Sequence, residues 1–388
     1  MGSSKHVVIK FERLPEQGEE MSIERIDSYY RDNVTVVKIT ASDGAVGYGQ
    51  TAPFFADIAQ IILHRQIAPL VLGEPDDDFN LATKVIVKLH KFTGSYVCRT
   101  VAGVDTALWD MKGKREGKSV ADLVGKKQES IGMYGSSMLR NIPVEQEAER
   151  MVRLRDERGY TAFKLHVGVW NSEGEDYWPG RTEAMFELAH SALGDDVDLY
   201  VDPNGAFSRE WTMALAPLMR DCNVVFLEEP LPFWKVEETA SLRNAIAPFG
   251  ILMAGGEQDM QMSSWQRILD LPMADIVQPD IGYIGGFTRA LDVARKAAER
   301  GIFVTPHTAN WSLLLPFGLH YMAVVDKPWP LLENSIEDDR WAKTMYAAGA
   351  EALTPVDGCI QVPDGPGWGM EISQDWLDSA LHMESVIS

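Results

Sequence analysis

The sequence predicts a (β/α)8-type barrel with an α+β N-terminal capping domain. From about residue 131 onward, short apolar runs alternate eight times with amphipathic helical segments, which is the pattern of parallel βαβ units. Eight such units in about 220 residues match the size of a (β/α)8 barrel. A doubly wound open sheet is the competing arrangement, but no GxGxxG phosphate loop follows the first strand.

Each predicted barrel strand is a short apolar run, and each predicted helix has one apolar face. Helices of this kind include RTEAMFELAHSAL and GFTRALDVARKAAERG. The strands are predicted, in chain order, at IGMYG, TAFKLHV, VDLYVD, VVFLEE, GILMAGGE, ADIVQPD, GIFVTPH and WPLLEN.

The chain divides into three predicted segments. Residues 1–130 mix short strands with helices and form the capping domain, in which Asp43-Gly44 indicates a hairpin and VAGVDTALWDMKGK indicates a helix. Residues 131–350 form the barrel. In residues 351–388 the alternation of strands and helices ends and glycines and prolines become frequent. We expect this segment to pack back on the cap.

The composition narrows the class of protein. A formal charge of −21 disfavours nucleic acid and anionic membrane surfaces as partners. The three cysteines lie far apart without a CxxC pattern, which fits a reducing compartment. The N-terminus lacks the apolar core of a signal peptide, and no apolar stretch reaches the ~18 residues that span a bilayer. We therefore expect a cytoplasmic protein.

Ionisable residues recur where the predicted strands end. They follow one another at intervals of 23 to 29 residues, about one strand-plus-helix unit. All of them would lie at the C-terminal face of the barrel, where this fold places its chemistry. A single acid there is more often a helix N-cap. For the whole set, such an explanation would have to hold independently at each strand end, and we therefore favour a common site. The residues are Asp202, Glu228, Glu257, Asp280, His307 and Glu333.

Several carboxylates that converge on one point repel one another unless a cation or protons intervene. Oxygen ligands select a hard divalent ion, so Mg²⁺ is expected and Mn²⁺ is the alternative. Thiolate or multi-imidazole ligands for zinc are absent from this set. The pattern therefore predicts a divalent metal centre.

The motifs of the chain resemble those of the enolase superfamily and, within it, the mandelate racemase subgroup. The similarity spans nearly the whole chain, and the motifs follow one another in the expected order. They are VDTALWDMKGK in the cap, and KxH, DPN, LEEP, GGEQ, QPDIGYIGG, TPH and LLEN in the barrel. The resemblance implies a modified TIM barrel whose cap contributes substrate-specificity loops.

The resemblance also implies a metal site and its surroundings. Asp202, Glu228 and Glu257 would bind Mg²⁺. Asn204 and Glu229 look like residues that support those ligands or the substrate.

Proton-transfer residues are implied in the same way. Asp280 and His307 look like the family's Asp–His dyad, and Glu333 occupies the place of a carboxylate that hydrogen-bonds the substrate carboxylate. The subgroup commonly has Lys-x-Lys after the second strand, whereas this chain has Lys164-x-His166. An imidazole thus takes the acid/base position, and Lys164 would hydrogen-bond the substrate carboxylate.

Two proton-transfer groups on opposite faces of one carbon predict abstraction of the proton alpha to a carboxylate, through a metal-stabilised enediolate. If the substrate has a β-hydroxyl, the second group releases it as water, which gives a 2-keto-3-deoxy acid. The resemblance favours this dehydration of a sugar acid. Polar residues expected near the mouth also suit a polyol, namely Ser136, Ser137, Asn171 and Asn310.

Other readings stay open. The same groups would serve a racemase, an epimerase or a lactone cycloisomerase, and a non-catalytic metal-binding barrel is a further alternative. Tyr29, Tyr30 and Arg31 of the cap would either meet the far end of a small-molecule carboxylate substrate or lie on a strand surface. The aromatic insert 169–181 would wall the pocket or join subunits. The resemblance also implies a homo-oligomer.

Overall fold

The protein was analysed as a computed structural model that describes residues 6–11, 21–92, 94–170, 172, 174–308, 312–337 and 340–387, with the side chains of residues 340 and 341 left out. The described part forms a cap built on a mixed, mostly antiparallel sheet and a barrel of parallel strands. Asn171 and Asn310 lie outside the described residues.

The cap begins with four strands and continues with five helices. The strands are β1 (Val7–Phe11), β2 (Ile23–Arg31), β3 (Val34–Ala41) and β4 (Val46–Gln50). The helices are α1 (Ala56–Ile62), α2 (Ala68–Val71), α3 (Leu81–Lys88), α4 (Ser95–Glu116) and α5 (Val120–Val124), with a π turn at Leu63–Ile67 between the first two.

The barrel alternates strands and helices as the apolar periodicity predicts. Its strands are β5 (Ser130–Ser136), β6 (Ala162–His166), β7 (Asp198–Asp202), β8 (Val224–Glu228), β9 (Leu252–Gly255), β10 (Ile276–Val277), β11 (Phe303–Val304) and β12 (Leu331–Ser335). Its helices are α6 (Val144–Arg158), α7 (Arg181–Leu193), α8 (Arg209–Asp221), α9 (Val236–Ile246), α10 (Met262–Asp270), α11 (Ile281–Ile284), α12 (Phe287–Glu299) and α13 (Leu314–Val324).

The eight strands lie in the order β11-β10-β9-β8-β7-β6-β5-β12, and each neighbouring pair is parallel. The ring closes between the segment before β12 and β11, where Val304 N donates to Lys327 O at 3.0 Å and Trp329 N donates to Val304 O at 2.8 Å. The prediction of a (β/α)8-type barrel is therefore confirmed. None of the described helices has both the length and the apolar character that a bilayer crossing requires.

The last segment of the chain contacts both parts of the molecule. Its elements are α14 (Arg340–Lys343), β13 (Tyr346–Ala348), β14 (Cys359–Gln361), β15 (Glu371–Ile372), α15 (Gln374–Ser379) and β16 (Leu381–Ile387). Strand β14 pairs with β5 of the barrel, whereas β16 lies between β1 and β2 in the cap sheet. The chain end thus ties the cap to the barrel through backbone hydrogen bonds.

Side chains alternate between the inside and the outside of the barrel because successive strand residues point to opposite faces. The rings of Tyr134, Tyr200 and Phe226 fill the interior below the site, with Tyr200 and Phe226 stacked at 3.9 Å between centroids. Two residues further along their strands, Asp202 and Glu228 face the same interior one layer closer to the C-terminal ends. An aromatic floor therefore lies beneath a layer of charged side chains.

The cap helix α4 packs tightly on β4 and on the barrel. Gly47 and Gly49 of β4 contact its backbone so closely that an added Cβ atom would overlap Ala107 or Gly103. On the barrel side, Gln50 is fully buried and its amide accepts a hydrogen bond from Leu313 N at 3.0 Å. These contacts fix the orientation of the cap over the strand ends.

The tyrosines proposed to meet the substrate belong to the cap sheet. Tyr29 lies in β2, where its ring stacks on His382 at 4.6 Å between centroids. Arg31, at the end of the same strand, donates to Asp32 and to Ser379. These contacts favour the second of the two readings, a strand surface.

Candidate active site

The six ionisable residues lie at the C-terminal ends of six successive barrel strands. Asp202 and Glu228 are the last residues of β7 and β8, and Glu333 lies within β12. Glu257, Asp280 and His307 follow β9, β10 and β11 by two or three residues. All six side chains are buried or nearly so, because the cap covers this face of the barrel. The barrel thus gathers charged groups that are distant in the sequence.

Lys164 occupies the centre of this layer. It is fully buried, and its Nζ lies 2.8 Å from Glu228 Oε2, 2.9 Å from Glu333 Oε1 and 3.5 Å from Asp202 Oδ2. Burial lowers the pKa of a lysine, but here the carboxylates outweigh it and raise the pKa of Lys164 well above its usual value. The ammonium group is therefore a fixed positive charge.

His166 stands beside Asp202 at the end of β6. Its Nε2 lies 3.0 Å from Asp202 Oδ2, and its Nδ1 contacts the carbonyl oxygen of Ser137. Asn204 donates to both oxygens of Asp202, at 2.8 Å from its backbone N and 3.1 Å from its side-chain Nδ2. Burial would raise the pKa of Asp202, but His166 and Lys164 outweigh it and lower that pKa. Asp202 is therefore ionised and oriented.

Glu228 and Glu257 each have one buried oxygen without a hydrogen bond. These are Glu228 Oε1 and Glu257 Oε2 in the described structure. Burial raises the pKa of Glu228 to about 8, and the charges of Asp202 and Glu257 act in the same direction. Glu257 Oε2 lies 3.3 Å from His307 Nε2 but does not form a hydrogen bond with it. Buried carboxylate oxygens that lack hydrogen bonds and repel one another are what a divalent cation would stabilise. The residues therefore fit a hard metal ion.

The three carboxylates are close but not drawn together around one point. Among the described residues, only His6, His382 and Glu384 place three possible ligand atoms within 4.8 Å of one another. Those three lie in the cap, and Arg25 Nη2 at 2.9 Å from Glu384 Oε2 already supplies a positive charge there. Mutual repulsion and the Lys164 ion pairs account for the open arrangement of the barrel carboxylates.

Glu229 directly follows Glu228 at the end of β8. Its backbone has a φ of 34°, in the left-handed region, which turns the chain directly after β8. Its Oε1 accepts from Gly256 N at 3.2 Å, next to Glu257. Burial raises the pKa of Glu229 well above its usual value, and the charge of Glu257 raises it further.

His307 and Asp280 form a hydrogen-bonded pair. Nδ1 of His307 lies 2.7 Å from Asp280 Oδ2, and its Nε2 lies 3.3 Å from Glu257 Oε2. Burial lowers the pKa of a histidine, but Glu257, Glu333 and Asp280 outweigh it and raise the pKa of His307 well above 6.5. Asp280 Oδ1 also accepts from Tyr283 N at 2.9 Å and so caps α11.

Glu333 is held by three donors. Its Oε1 accepts from Ser136 Oγ at 2.8 Å and from Lys164, and its Oε2 accepts from Thr308 N at 2.9 Å. Burial would raise its pKa, but Lys164 and His307 outweigh burial and lower the pKa of Glu333 to about 2. Glu333 is therefore a rigid carboxylate at the edge of the site.

The neighbours of the site include Gln258, which belongs to the GGEQ motif, and Arg140, which none of the quoted motifs contains. Gln258 Nε2 donates to Glu257 Oε1 at 2.7 Å, and Arg140 donates to the side chain of Asn204. Ser136 and Ser137, proposed for a polyol, already bind Glu333 and Arg150 respectively. Arg140 lies on a loop, where neither the apolar periodicity of strands and helices nor the spacing of strand ends marks a residue. It could therefore be found only from the structure.

Comparison with known proteins identifies the family. Residues 146–376 match the enolase C-terminal domain-like model, and residues 13–125 match the N-terminal domain of mandelate racemase and muconate lactonizing enzyme. The chain belongs to the mandelate racemase subgroup of the enolase superfamily. The resemblance drawn from the motifs is thereby confirmed.

Curated relatives of this chain are enzymes of acid-sugar metabolism. Arabinonate dehydratase of Saccharolobus solfataricus is 27% identical over 87% of this chain and 88% of its own length. L-talarate/galactarate dehydratase of Salmonella typhimurium is 30% identical over 88% and 81%. D-galactarolactone cycloisomerase of Agrobacterium fabrum is 26% identical over 88% and 89%.

Solved structures share the whole architecture. A protein from Roseobacter denitrificans, described as a candidate racemase, superposes with a TM-score of 0.90 at 40% identity, over 94% of this chain and 100% of that one. A family member from Paracoccus denitrificans, solved with magnesium, has a TM-score of 0.84 at 24% identity, over 95% and 100%. At 24% identity, the similarity to the Paracoccus denitrificans structure shows a shared fold.

Proposed function

We propose that this protein is a Mg²⁺-dependent hydro-lyase that dehydrates an acid sugar to a 2-keto-3-deoxy acid. One observation carries the proposal: two histidines from β6 and β11 contact the same buried polar cluster. His166 is linked through Asp202 and Lys164 to Glu333, whose Oε2 lies 4.0 Å from His307 Nε2. Paired acid/base groups on two sides of one site suit removal of a proton and departure of a hydroxyl.

Asp202, Glu228 and Glu257 would hold the metal ion, with Asn204 and Glu229 supporting them. The ion, when bound, would act as a Lewis acid that stabilises negative charge on the substrate carboxylate. Lys164 supplies a fixed positive charge to the same carboxylate. Glu333, held by Ser136 Oγ and Thr308 N, would orient the substrate by accepting a hydrogen bond from it.

The two histidines divide the proton transfers. His166 Nδ1 contacts Ser137 O, so Nε2 is the nitrogen on the side of Asp202, and it would accept the α-proton once Asp202 Oδ2, now 3.0 Å away, turns to the metal ion. His307 is kept protonated by the surrounding acids, which suits donation of a proton to the departing hydroxyl. Asp280 fixes the ring of His307 through Nδ1, so Nε2 is the nitrogen that faces the substrate.

A panel of aldonic and aldaric acids tests this function. The purified protein with Mg²⁺ is incubated with each acid, and 2-keto-3-deoxy acids are assayed. We expect turnover of at least one acid, which EDTA abolishes and Mg²⁺ restores. Lack of product from every acid, with correctly folded protein, would contradict the proposal.

A second function is favoured by one relative, the lactone cycloisomerase, which is 26% identical over 88% of this chain. An isomerase would use the same two histidines without loss of water. Incorporation of deuterium from D₂O at the carbon next to the carboxylate, without formation of a keto acid, would favour a racemase or epimerase. Opening or closing of a sugar-acid lactone would favour a cycloisomerase. If the protein bound the metal ion but catalysed none of these reactions, the alternative of a non-catalytic metal-binding barrel would be favoured.

Three further predictions concern the metal ion, the oligomeric state and the cellular compartment. Mn²⁺ should replace Mg²⁺ with measurable activity, because both ions prefer oxygen ligands. Light scattering on the purified protein should give a homo-oligomer, as the family resemblance implies. A tagged copy of the chain should fractionate with the cytoplasm.

A further inference from the structure

Two arginines lie next to His166 and contact the backbone at the end of β6. Arg140 lies on the loop between β5 and α6, and Arg181 is the first residue of α7. Arg140 is half-buried and Arg181 is 1% exposed. Within the described part of the chain, neither guanidinium forms an ion pair with a carboxylate, in a protein whose net charge is −21. Buried charge without a counterion is costly, so this arrangement calls for an explanation.

The hydrogen bonds of Arg140 go to uncharged acceptors. Its Nε lies 3.4 Å from Val167 O and its Nη2 lies 3.5 Å from Asp202 O, and Nη2 also contacts Asn204 Oδ1. Asn204 in turn holds the carboxylate of Asp202. Arg140 is therefore built into the rim of the site, on the side of the metal ligands.

Some hydrogen-bond donors of Arg181 have no acceptor among the described residues. Its Nη1 is 3.4 Å from His166 O, while its buried Nε and Nη2 have no hydrogen-bond partner. Asp176 is the acid that attracts it most strongly, but the oxygens of Asp176 accept from Thr182 at 2.8 and 2.9 Å. Two free donors of a buried guanidinium remain available to a planar anion.

The two guanidinium groups lie close enough to repel each other. Burial lowers the pKa of Arg140, Asp202 acts against this, and the charge of Arg181 again lowers the pKa. Tyr177 lies near both and is half-exposed, which marks the edge of the pair toward solvent. A carboxylate or phosphate between two arginines would relieve this repulsion and accept bidentate hydrogen bonds.

We propose that Arg140 and Arg181 bind a second anionic group, at the far end of the substrate, and that the acid sugar is a diacid. This inference rests on the proposed function. The reacting carboxylate belongs near Lys164 and Glu333, and His166 faces the adjacent carbon. The arginine pair contacts the carbonyl oxygens of Val167 and His166 at the end of β6, and we place the far end of a substrate that extends past His166 at this pair. A terminal hydroxymethyl group would leave both charges unneutralised.

Matched acids that differ only at the far carbon test the proposal. They are glucarate with gluconate, galactarate with galactonate, and mannarate with mannonate, each assayed with Mg²⁺. We expect kcat/KM for the best diacid to exceed that of its monoacid by about 100-fold, because hydrogen bonds to charged groups are stronger than those between neutral groups. Equal turnover of the monoacid overturns the inference but leaves the proposed dehydratase function standing.

Substitutions of the arginines test whether they produce the preference for the diacid. Arg140→Met and Arg181→Met should raise KM for the diacid by about 10- to 100-fold and leave the monoacid nearly unchanged. Arg140→Lys and Arg181→Lys should restore part of the preference and report on folding. Arg153→Met, on the exposed face of α6, is the control. Loss of the preference in Arg99→Met instead would place the second anion on the cap and overturn the assignment.

Binding gives a readout that does not depend on turnover. Calorimetry of the Mg²⁺-loaded protein should show tighter binding of the diacid than of the monoacid, weakened by salt and by Arg140→Met. A phosphorylated aldonate that binds or reacts better than every diacid would overturn the choice of a carboxylate. Absence of diacid binding would overturn the site itself.

Discussion

Asp280 makes two hydrogen bonds with two different consequences. One oxygen caps α11 through Tyr283 N at 2.9 Å, and the other lies 2.7 Å from His307 Nδ1. From the sequence alone these were competing interpretations, a capping residue or half of a dyad. The structure satisfies both, because a carboxylate has two oxygens and the turn after β10 directs one to each partner.

Removal of the His307 proton donor should stop catalysis. His307→Asn keeps a side chain of similar shape but cannot donate or accept a proton at neutral pH, so we expect kcat to fall at least 10³-fold, within the range of general acid–base effects. Asp280→Asn should cost less in kcat and should shift the alkaline limb of the pH–rate profile, where His307 loses its proton, to lower pH, because the pKa of His307 loses one of its raising charges. Unchanged circular dichroism is the control for folding, and full activity in His307→Asn would remove it from the mechanism.

His166 provides an independent test at the opposite side. His166→Ala should abolish exchange of the α-proton with solvent as well as turnover. His307→Asn should retain some exchange if His166 is the base that removes the proton. Equal exchange in the two variants would show that the two roles are assigned wrongly.

At the scale of elements, the contact between β4 and α4 fixes the cap. Gly47 and Gly49 have no room for a Cβ atom against the backbone of α4. Gly49→Ala should therefore separate the two elements and destabilise the protein by about 1–3 kcal/mol, as overpacking does. Gly94→Ala, where a Cβ atom meets nothing within 4 Å, should leave the unfolding midpoint unchanged. Similar midpoints for both variants would show that the cap relaxes without cost.

The whole molecule should lose stability in mild acid. Burial lowers the pKa of His64 and of His320 to about 4, from an ordinary 6.5. Between pH 6.5 and 4 the unfolded chain binds more protons at these histidines than the folded one, so stability falls as pH falls through that window. The difference is worth about 3 kcal/mol for each group.

His320→Asn tests this account. Nδ1 of His320 accepts from Ala121 N at 3.0 Å, and an asparagine oxygen can take that place without titrating. The drop of the unfolding midpoint between pH 7 and pH 5 should be smaller in His320→Asn than in the wild type. His90→Asn, at an exposed position, should behave as the wild type. A drop of the same size in all three proteins would assign the acid sensitivity elsewhere.

Metal binding should also be visible in the stability of the whole molecule. An ion that binds only the folded state stabilises it by about 2.7 kcal/mol at 100 times its dissociation constant. Because burial raises the pKa of Glu228 to about 8, Mg²⁺ binding at neutral pH should release protons and strengthen as pH rises toward 8. Thermal melts and calorimetry in buffers of different ionisation enthalpy measure both effects. Glu228→Gln should abolish them, and an unchanged shift in that variant would remove Glu228 from the metal site.

The sequence by itself determined the fold class, the family and the set of ionisable strand ends. Apolar periodicity is a local property, so it predicts strands and helices. The intervals of 23 to 29 residues then place Asp202 through Glu333 at one end of the barrel.

Only the tertiary structure decided which charges neutralise one another. Lys164 is 64 residues from Glu228, yet the two are joined at 2.8 Å, and no spacing rule predicts that contact. That Arg140 and Arg181 form no ion pair with a carboxylate among the described residues is likewise invisible in the sequence. Charge compensation depends on which side chains the closed barrel brings within a few ångströms, and that distance is a property of the folded chain.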